Sequence, residues 1–147
     1  MNARTQPARR PSDQPLAGVR ILAVEQFGAG PYGTMFLAHL GAEVIKIENP
    51  ATRGDPSRQT GPYMLGPDDS QYFQGWNSNK RSVALDIKSP EGRAAFEALV
   101  RDADVVLNNL RGDLPARLGL DHETLGLIKP AIVLSLIHIS EPTRQEA

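Results

Sequence analysis

Three glycines, Gly28, Gly30 and Gly33, spell G-x-G-x-x-G, and Glu48 follows about twenty residues after the first of them. Glycines at that spacing let a backbone approach a pyrophosphate, and an acid at that distance can accept from a ribose hydroxyl. The chemistry first suggested is therefore dinucleotide binding, with NAD(P) as the ligand. Two details oppose it. The apolar run before the loop ends near Val24, several residues short of Gly28, and Pro31 removes one of the N–H donors that a helix start offers to phosphate. A tight turn that needs glycine for purely structural reasons stays open beside it. One further group can meet phosphate: Lys80 and Arg81 in the turn NSNKRS. For Lys80 and Arg81 the competing reading is a solvated pair of charges on a turn.

The elements that must position these residues follow from periodicity. Val19, Ile21, Leu22 and Val24 form a short apolar run of buried-strand type, and Val44, Ile45 and Ile47 form a second. Between them Gly30 reads as an N-cap with Pro31 at the first helical position. Tyr32, Met35, Phe36, His39 and Leu40 recur at helical spacing as the face to be buried, and Gly41 closes the helix. Two parallel strands joined by a helix cross over right-handedly, so the expected fold is α/β, a Rossmann-like doubly wound parallel sheet. From Asn49 to Gln71, Pro and Gly recur too often for helix or sheet to persist, which predicts a long loop of functional type. Tyr72, Phe73 and Trp76 read as a packed helical turn. Ser82 to Leu85 reads as a third strand. Ser89 caps a helix with Pro90 at its first position, Glu91 complementing the dipole and an apolar face of Phe96, Leu99, Val100 and Ala103. Val105 to Leu107 makes a fourth strand that ends at the carboxyl edge where open α/β sheets place ligands. Arg117 lies on a short helical turn, Asp121 caps a helix from Glu123 to Ile128, and Ile132 to Leu134 starts a fifth strand.

Composition removes other classes. The 147 residues are 40% hydrophobic, with 16 basic and 17 acidic side chains and a formal net charge of -1, so neither nucleic acid nor a membrane surface is expected as partner. There is no cysteine and the three histidines are scattered, so no metal is expected. The first fourteen residues are polar and proline-rich, lack the apolar core of a signal peptide, and read as a disordered tail; the expected location is cytoplasmic.

The order PLAGVRILAVEQFGAGPYG, LAHLGAEVIKIENP, YFQGWNSNKRSVALDIKSPEGRAAFEALVRDADVVLNNLRGDLPARLGL and LIKPAIV resembles the amino-terminal part of the family III CoA-transferases. That family includes formyl-CoA, succinyl-CoA and carnitine CoA-transferases and the alpha-methylacyl-CoA racemases. The resemblance runs over 15–133, and its segments N-x-N-K-R-S-x-x-L-D-x-K and A-D-V-(x)3-N are far more specific than a glycine triplet. It implies acyl-CoA and a carboxylic acid as substrates, no permanently bound cofactor, and an interlocked homodimer in the full-length enzyme. The alternatives are a racemase of the same family or, from another class, an NAD(P)-binding module.

Carried over by position, the resemblance places coenzyme A contacts on Gly28, Ala29, Asn49, Leu85, Asp86, Ile87, Lys88, Asn109, Leu110, Arg111 and Arg117. The sequence departs from the family at Gly28, where formyl-CoA transferases have glutamine, and at Asn49, where many members have arginine. The first departure argues against formyl or oxalyl groups, and the second removes one expected phosphate or adenine contact. The family's nucleophile is an aspartate that attacks the thioester to give a mixed anhydride and then an aspartyl-CoA thioester. None of the acids here occupies that position, so no catalytic residue is assigned. From Leu134 onward, LSLIHISEPTR resembles the translation of a transposase-type sequencing adapter, and 134–147, His138 included, is expected to be an artefact without a role.

Overall fold

The computed structural model describes residues 13–137. In chain order they form β1 (Arg20–Val24), α1 (Ala29–His39) and β2 (Glu43–Glu48), then an excursion with the short strands β3 (Met64–Gly66) and β4 (Asp69–Ser70) and helix α2 (Gln71–Trp76). The chain continues as β5 (Lys80–Ala84), α3 (Pro90–Asp102), β6 (Val105–Asn108), α4 (Leu114–Arg117), α5 (His122–Ile128) and β7 (Val133–Leu136). Five strands make one parallel sheet in the order β5-β2-β1-β6-β7. Taken by sequence, that is third, second, first, fourth, fifth, so the order reverses between β1 and β6, where a doubly wound fold opens its ligand crevice.

The two faces of the sheet are filled differently. On one, Leu22, Val24, Ile45, Ile47 and Val106 pack with Phe96 and Val100 of α3 and Leu125 of α5 in a continuous apolar core. Ser89 caps α3 by accepting from the Gly92 N–H at 3.0 Å, with Pro90 first in the helix, as the sequence predicts. On the other face Ile21, Ala23 and Val44 are apolar toward the amino ends. Toward the carboxyl ends, Glu25, Lys46 and Glu48 are buried instead.

That polar patch explains why α1 differs from its predicted form. The helix starts at Ala29 with Gly28 as N-cap, two residues before the expected start, and its buried residues are Gly30, Pro31, Thr34 and Ala38. The larger face of Tyr32, Phe36 and Leu40 points away from the sheet, each residue 44–49% exposed. Small residues on the inner face leave room for the charged side chains beneath. Thr34 also donates to both Glu25 carboxylate oxygens at 2.9 Å.

The segment after β2 is not the featureless loop its prolines predict. Asn49 and Asp55 each cap a single 3-10 turn, Pro50–Thr52 and Pro56–Gln59, and β3 pairs with β4. Of the aromatic cluster, only Phe73 is core; Tyr72 is exposed and Trp76 half-buried. The described residues begin in a turn at 13, and Leu16 donates its N–H to the Leu40 carbonyl at 3.0 Å. Leu134, Ser135 and Leu136 pair in register with Val106, Leu107 and Asn108, so the first residues of the stretch read as adapter-derived continue the sheet. Residues 138–147, His138 among them, and residues 1–12 lie outside the described residues.

Candidate functional site

A groove of about 240 Å³ opens at the carboxyl ends of β1, β2 and β5, beside the reversal in strand order. Its walls come from Val24–Gln26, Ile47–Asn49, the turn around Asp55, the segment Leu85–Lys88, and Leu110 with Leu114 and Leu118. Six of the eleven carried-over positions meet here: Asn49, Leu85, Asp86, Ile87, Lys88 and Leu110. The Leu85–Lys88 wall is a tight turn. Lys88 N–H donates to Asp86 Oδ1 at 3.0 Å, and the Asp86 carbonyl accepts from both the N–H and the hydroxyl of Ser89. Gly92 is required beneath it, because a Cβ there would collide with the Asp86 carbonyl.

The other five positions do not line the groove. Gly28 and Ala29 open α1 on the side of Tyr72, whose hydroxyl lies 3.4 Å from where a Gly28 Cβ would sit. Arg111 and Arg117 stand in solvent next in sequence to residues of the groove wall, Arg117 71% exposed and 4.0 Å from Asp113. Asn109 turns its side chain to the protein: its Oδ1 accepts from the Gln26 N–H at 3.0 Å and its Nδ2 donates to the Gln26 carbonyl at 2.8 Å. The Asn49 amide oxygen likewise accepts from the Ala51 N–H at 2.9 Å.

Behind the groove lies a charge cluster that neither periodicity nor motif spacing pointed to. Lys46, 1% exposed in mid-strand, holds Asp55 at 2.8 Å and Glu25 at 3.7 Å. Lys80 places its ammonium 2.8 Å from Glu25 and from the Pro31 carbonyl, and 3.0 Å from Asn77 Oδ1. Burial pushes Lys80 down from the usual lysine range, against the pull of Glu25. This corrects the reading of Lys80 and Arg81 as phosphate ligands: Lys80 is enclosed, and Arg81 pairs in solvent with Glu43 at 3.0 Å.

Glu48, the acid that a dinucleotide fold would place on a ribose, is also committed. Arg58 donates to both its oxygens at 2.7 Å, Ser82 to Oε1 at 2.6 Å and the Asp55 N–H to Oε2 at 2.8 Å. Burial opposes its charge, but the Arg58 and Ser82 hydrogen bonds prevail and hold it down at about 2. Three of the four carboxylates along the groove are thus neutralised from behind, and Lys88 is a cation in its lining without such a partner among the described ion pairs. Among the described residues no cluster of His, Asp and Glu could hold a metal ion, and no helix is long and apolar enough to cross a membrane.

A doubly wound parallel sheet with a largely apolar groove at its switch point defines an α/β protein of the open-sheet type. Residues 16–139 match CoA-transferase family III, and the chain belongs to that family. It is 40% identical over 132 residues to a succinate–glutarate CoA-transferase of Agrobacterium fabrum, covering 86% of this chain and 32% of that protein. It is 40% identical to the human succinyl-CoA:glutarate CoA-transferase, over 82% of this chain and 27% of that protein. A crystal structure of a CAIB/BAIF family protein from Brucella suis superposes with a TM-score of 0.76 at 36% identity, over 84% of this chain and 33% of that one. The chain therefore spans about a third of the length of the relatives it matches.

Proposed function

We propose that this region supplies the coenzyme A groove of an enzyme that transfers CoA between an acyl-CoA and a carboxylic acid. The observation that carries the proposal is the meeting of Asn49, Leu85–Lys88 and Leu110 around one groove at the switch point of the sheet. Apolar walls from Ile47, Leu85, Ile87 and Leu110 suit the adenine or the pantetheine arm, while Lys88 in the wall and the exposed Arg111 and Arg117, adjacent in sequence to wall residues, suit the phosphates. The nucleophilic aspartate belongs to the part of the full-length enzyme that this chain does not span. It would displace CoA thiolate from the thioester as a mixed anhydride, after which the thiolate attacks the aspartyl carbonyl and releases the first acid. Transfer to the second acid runs the same steps in reverse. The Agrobacterium and human relatives both act on glutarate by name, so a short dicarboxylic acid is the first acceptor to try.

The test uses the full-length enzyme. In calorimetry it is expected to bind CoA and to give no heat with NADH, and with succinyl-CoA and glutarate it is expected to release glutaryl-CoA. Tight NADH binding without a response to CoA would restore the dinucleotide reading.

A further inference from the structure

The turn between β1 and α1 is held in a conformation its sequence does not favour. Phe27 has φ of +60°, in the left-handed region that an aromatic side chain seldom enters, and its ring is half exposed, so packing of the ring is not what keeps it there. The restraint is polar. The Asn109 amide grips both the N–H and the carbonyl of Gln26, at 3.0 and 2.8 Å. Asp55 Oδ1 accepts from the Phe27 N–H at 3.1 Å, and Lys46 donates to the Glu25 carbonyl at 3.2 Å. Lys46 and Asp55 in turn hold each other at 2.8 Å inside the protein, both almost fully buried. Asp55 also accepts from the Ser57 N–H at 2.9 Å and so fixes the opposite turn.

Glu25 and Gln26 line one side of the groove, and Asp55 and Pro56 another. One buried ion pair therefore ties both walls, and it does so through backbone atoms that have no freedom once bound. We infer that Asp55, backed by Lys46, is a positioning residue that sets the groove's geometry by holding the Gln26–Phe27 turn in its left-handed form. Asp55 transfers no proton and contacts no reacting atom in this role; its effect passes through the main chain of Phe27. The inference rests on the reading of the groove as an acyl-CoA site.

Removing the carboxylate releases the turn, so Asp55→Ala in the full-length enzyme is expected to raise the KM for acyl-CoA about tenfold or more while kcat changes by less than about threefold. Glycine enters the left-handed region without strain, so the loss should shrink when Phe27→Gly is already present. A fall in kcat at unchanged KM, or an equal loss in both backgrounds, overturns the proposal. Should Asp55→Ala fail to fold, Asp55→Ser keeps an N-cap for the Pro56–Gln59 turn but loses both the reach to the Phe27 N–H and the charge that Lys46 needs, and the same comparison applies. The turn can also be read without ligand, by chymotryptic cleavage after Phe27 under native conditions. Cleavage is expected to be slow in the wild type and at least about tenfold faster in Asp55→Ala or Asp55→Ser. Equal rates reject the positioning role even if CoA turnover is absent, whereas faster cleavage in an enzyme that ignores CoA leaves the positioning role standing and rejects the acyl-CoA function.

Discussion

The residue with the sharpest thermodynamic signature is Glu48. Unfolded it titrates near 4.5, and folded at about 2, because the Arg58 and Ser82 hydrogen bonds outweigh the cost of burial. As pH falls the unfolded chain takes up the proton first, so the contribution of Glu48 is complete above about pH 4.5 and is lost on the way down to 2. A depression of that size is worth roughly 3 kcal/mol. In the full-length enzyme Glu48→Gln is expected to be less stable at pH 7, and the gap to the wild type should narrow toward pH 3. Urea melts at the two pH values measure this, and a gap that stays constant would show that Glu48 carries no such linkage. The exposed Arg111 and Arg117 are expected to act on binding instead. If each makes a charged hydrogen bond to phosphate, Arg111→Ala and Arg117→Ala should weaken CoA esters by about ten- to a hundredfold without moving the melting temperature. Unchanged affinity in both variants would return these exposed side chains to an ordinary solvated surface.

At the scale of the element, the glycine triplet resolves into three different tasks. Gly30 lies where α1 crosses the β1 exit: a Cβ there would stand 2.9 Å from Glu25 Cβ and 3.0 Å from Asn109 Cγ, in the middle of the clamp on Gln26. Gly33 meets nothing closer than Ile137, at 3.8 Å, and Gly28 only the Tyr72 hydroxyl. Gly30→Ala should therefore cost about 1–3 kcal/mol by forcing those neighbours apart, while Gly33→Ala should be neutral or gain up to about 1 kcal/mol from helix propensity. Comparable losses at both positions would argue for a shared ligand-binding task and against packing. The five strands of the parallel sheet and α3 were legible in the sequence because their apolar runs and caps obey local rules: Ser89, Pro90, Phe96 and Val100 all stand where period and capping place them. α1 misled, because periodicity identifies an apolar face without saying what lies opposite it. Its large apolar face is left outward because the sheet beneath is occupied by Lys46 and Glu25. Lys46 itself reads as an interruption in the run Val44-Ile45-Lys46-Ile47. Its partners, Glu25 and Asp55, are 21 and 9 residues away in sequence, beyond any local pattern. Six of the eleven positions that the resemblance assigns to coenzyme A line one groove, which periodicity did not bring together, while the Asn109 side chain turns inward to Gln26.

At the scale of the whole molecule, the described residues leave several large apolar side chains exposed. Tyr32 and Phe36 stack edge-on at 4.8 Å, Trp76 joins Tyr32 at 5.4 Å, and Leu40 extends the strip along α1. Tyr63 and Leu65 beside the short hairpin are more than 60% exposed, and Val133 and Leu136 on the edge strand β7 add a second apolar edge to a parallel sheet. Parallel sheets are stable when both faces are covered, and edges of this kind recruit other chains. We therefore expect Met1 to Ala147, expressed as written, to self-associate. It should also show no CoA transfer above background, since loss of a nucleophile removes several orders of magnitude in rate. Light scattering and a panel of acyl-CoA donors with free acids test the two halves separately. A monodisperse monomer that melts cooperatively would mean that the strip along α1 and the β7 edge are tolerated in water, and turnover with any donor would place the nucleophile within these residues.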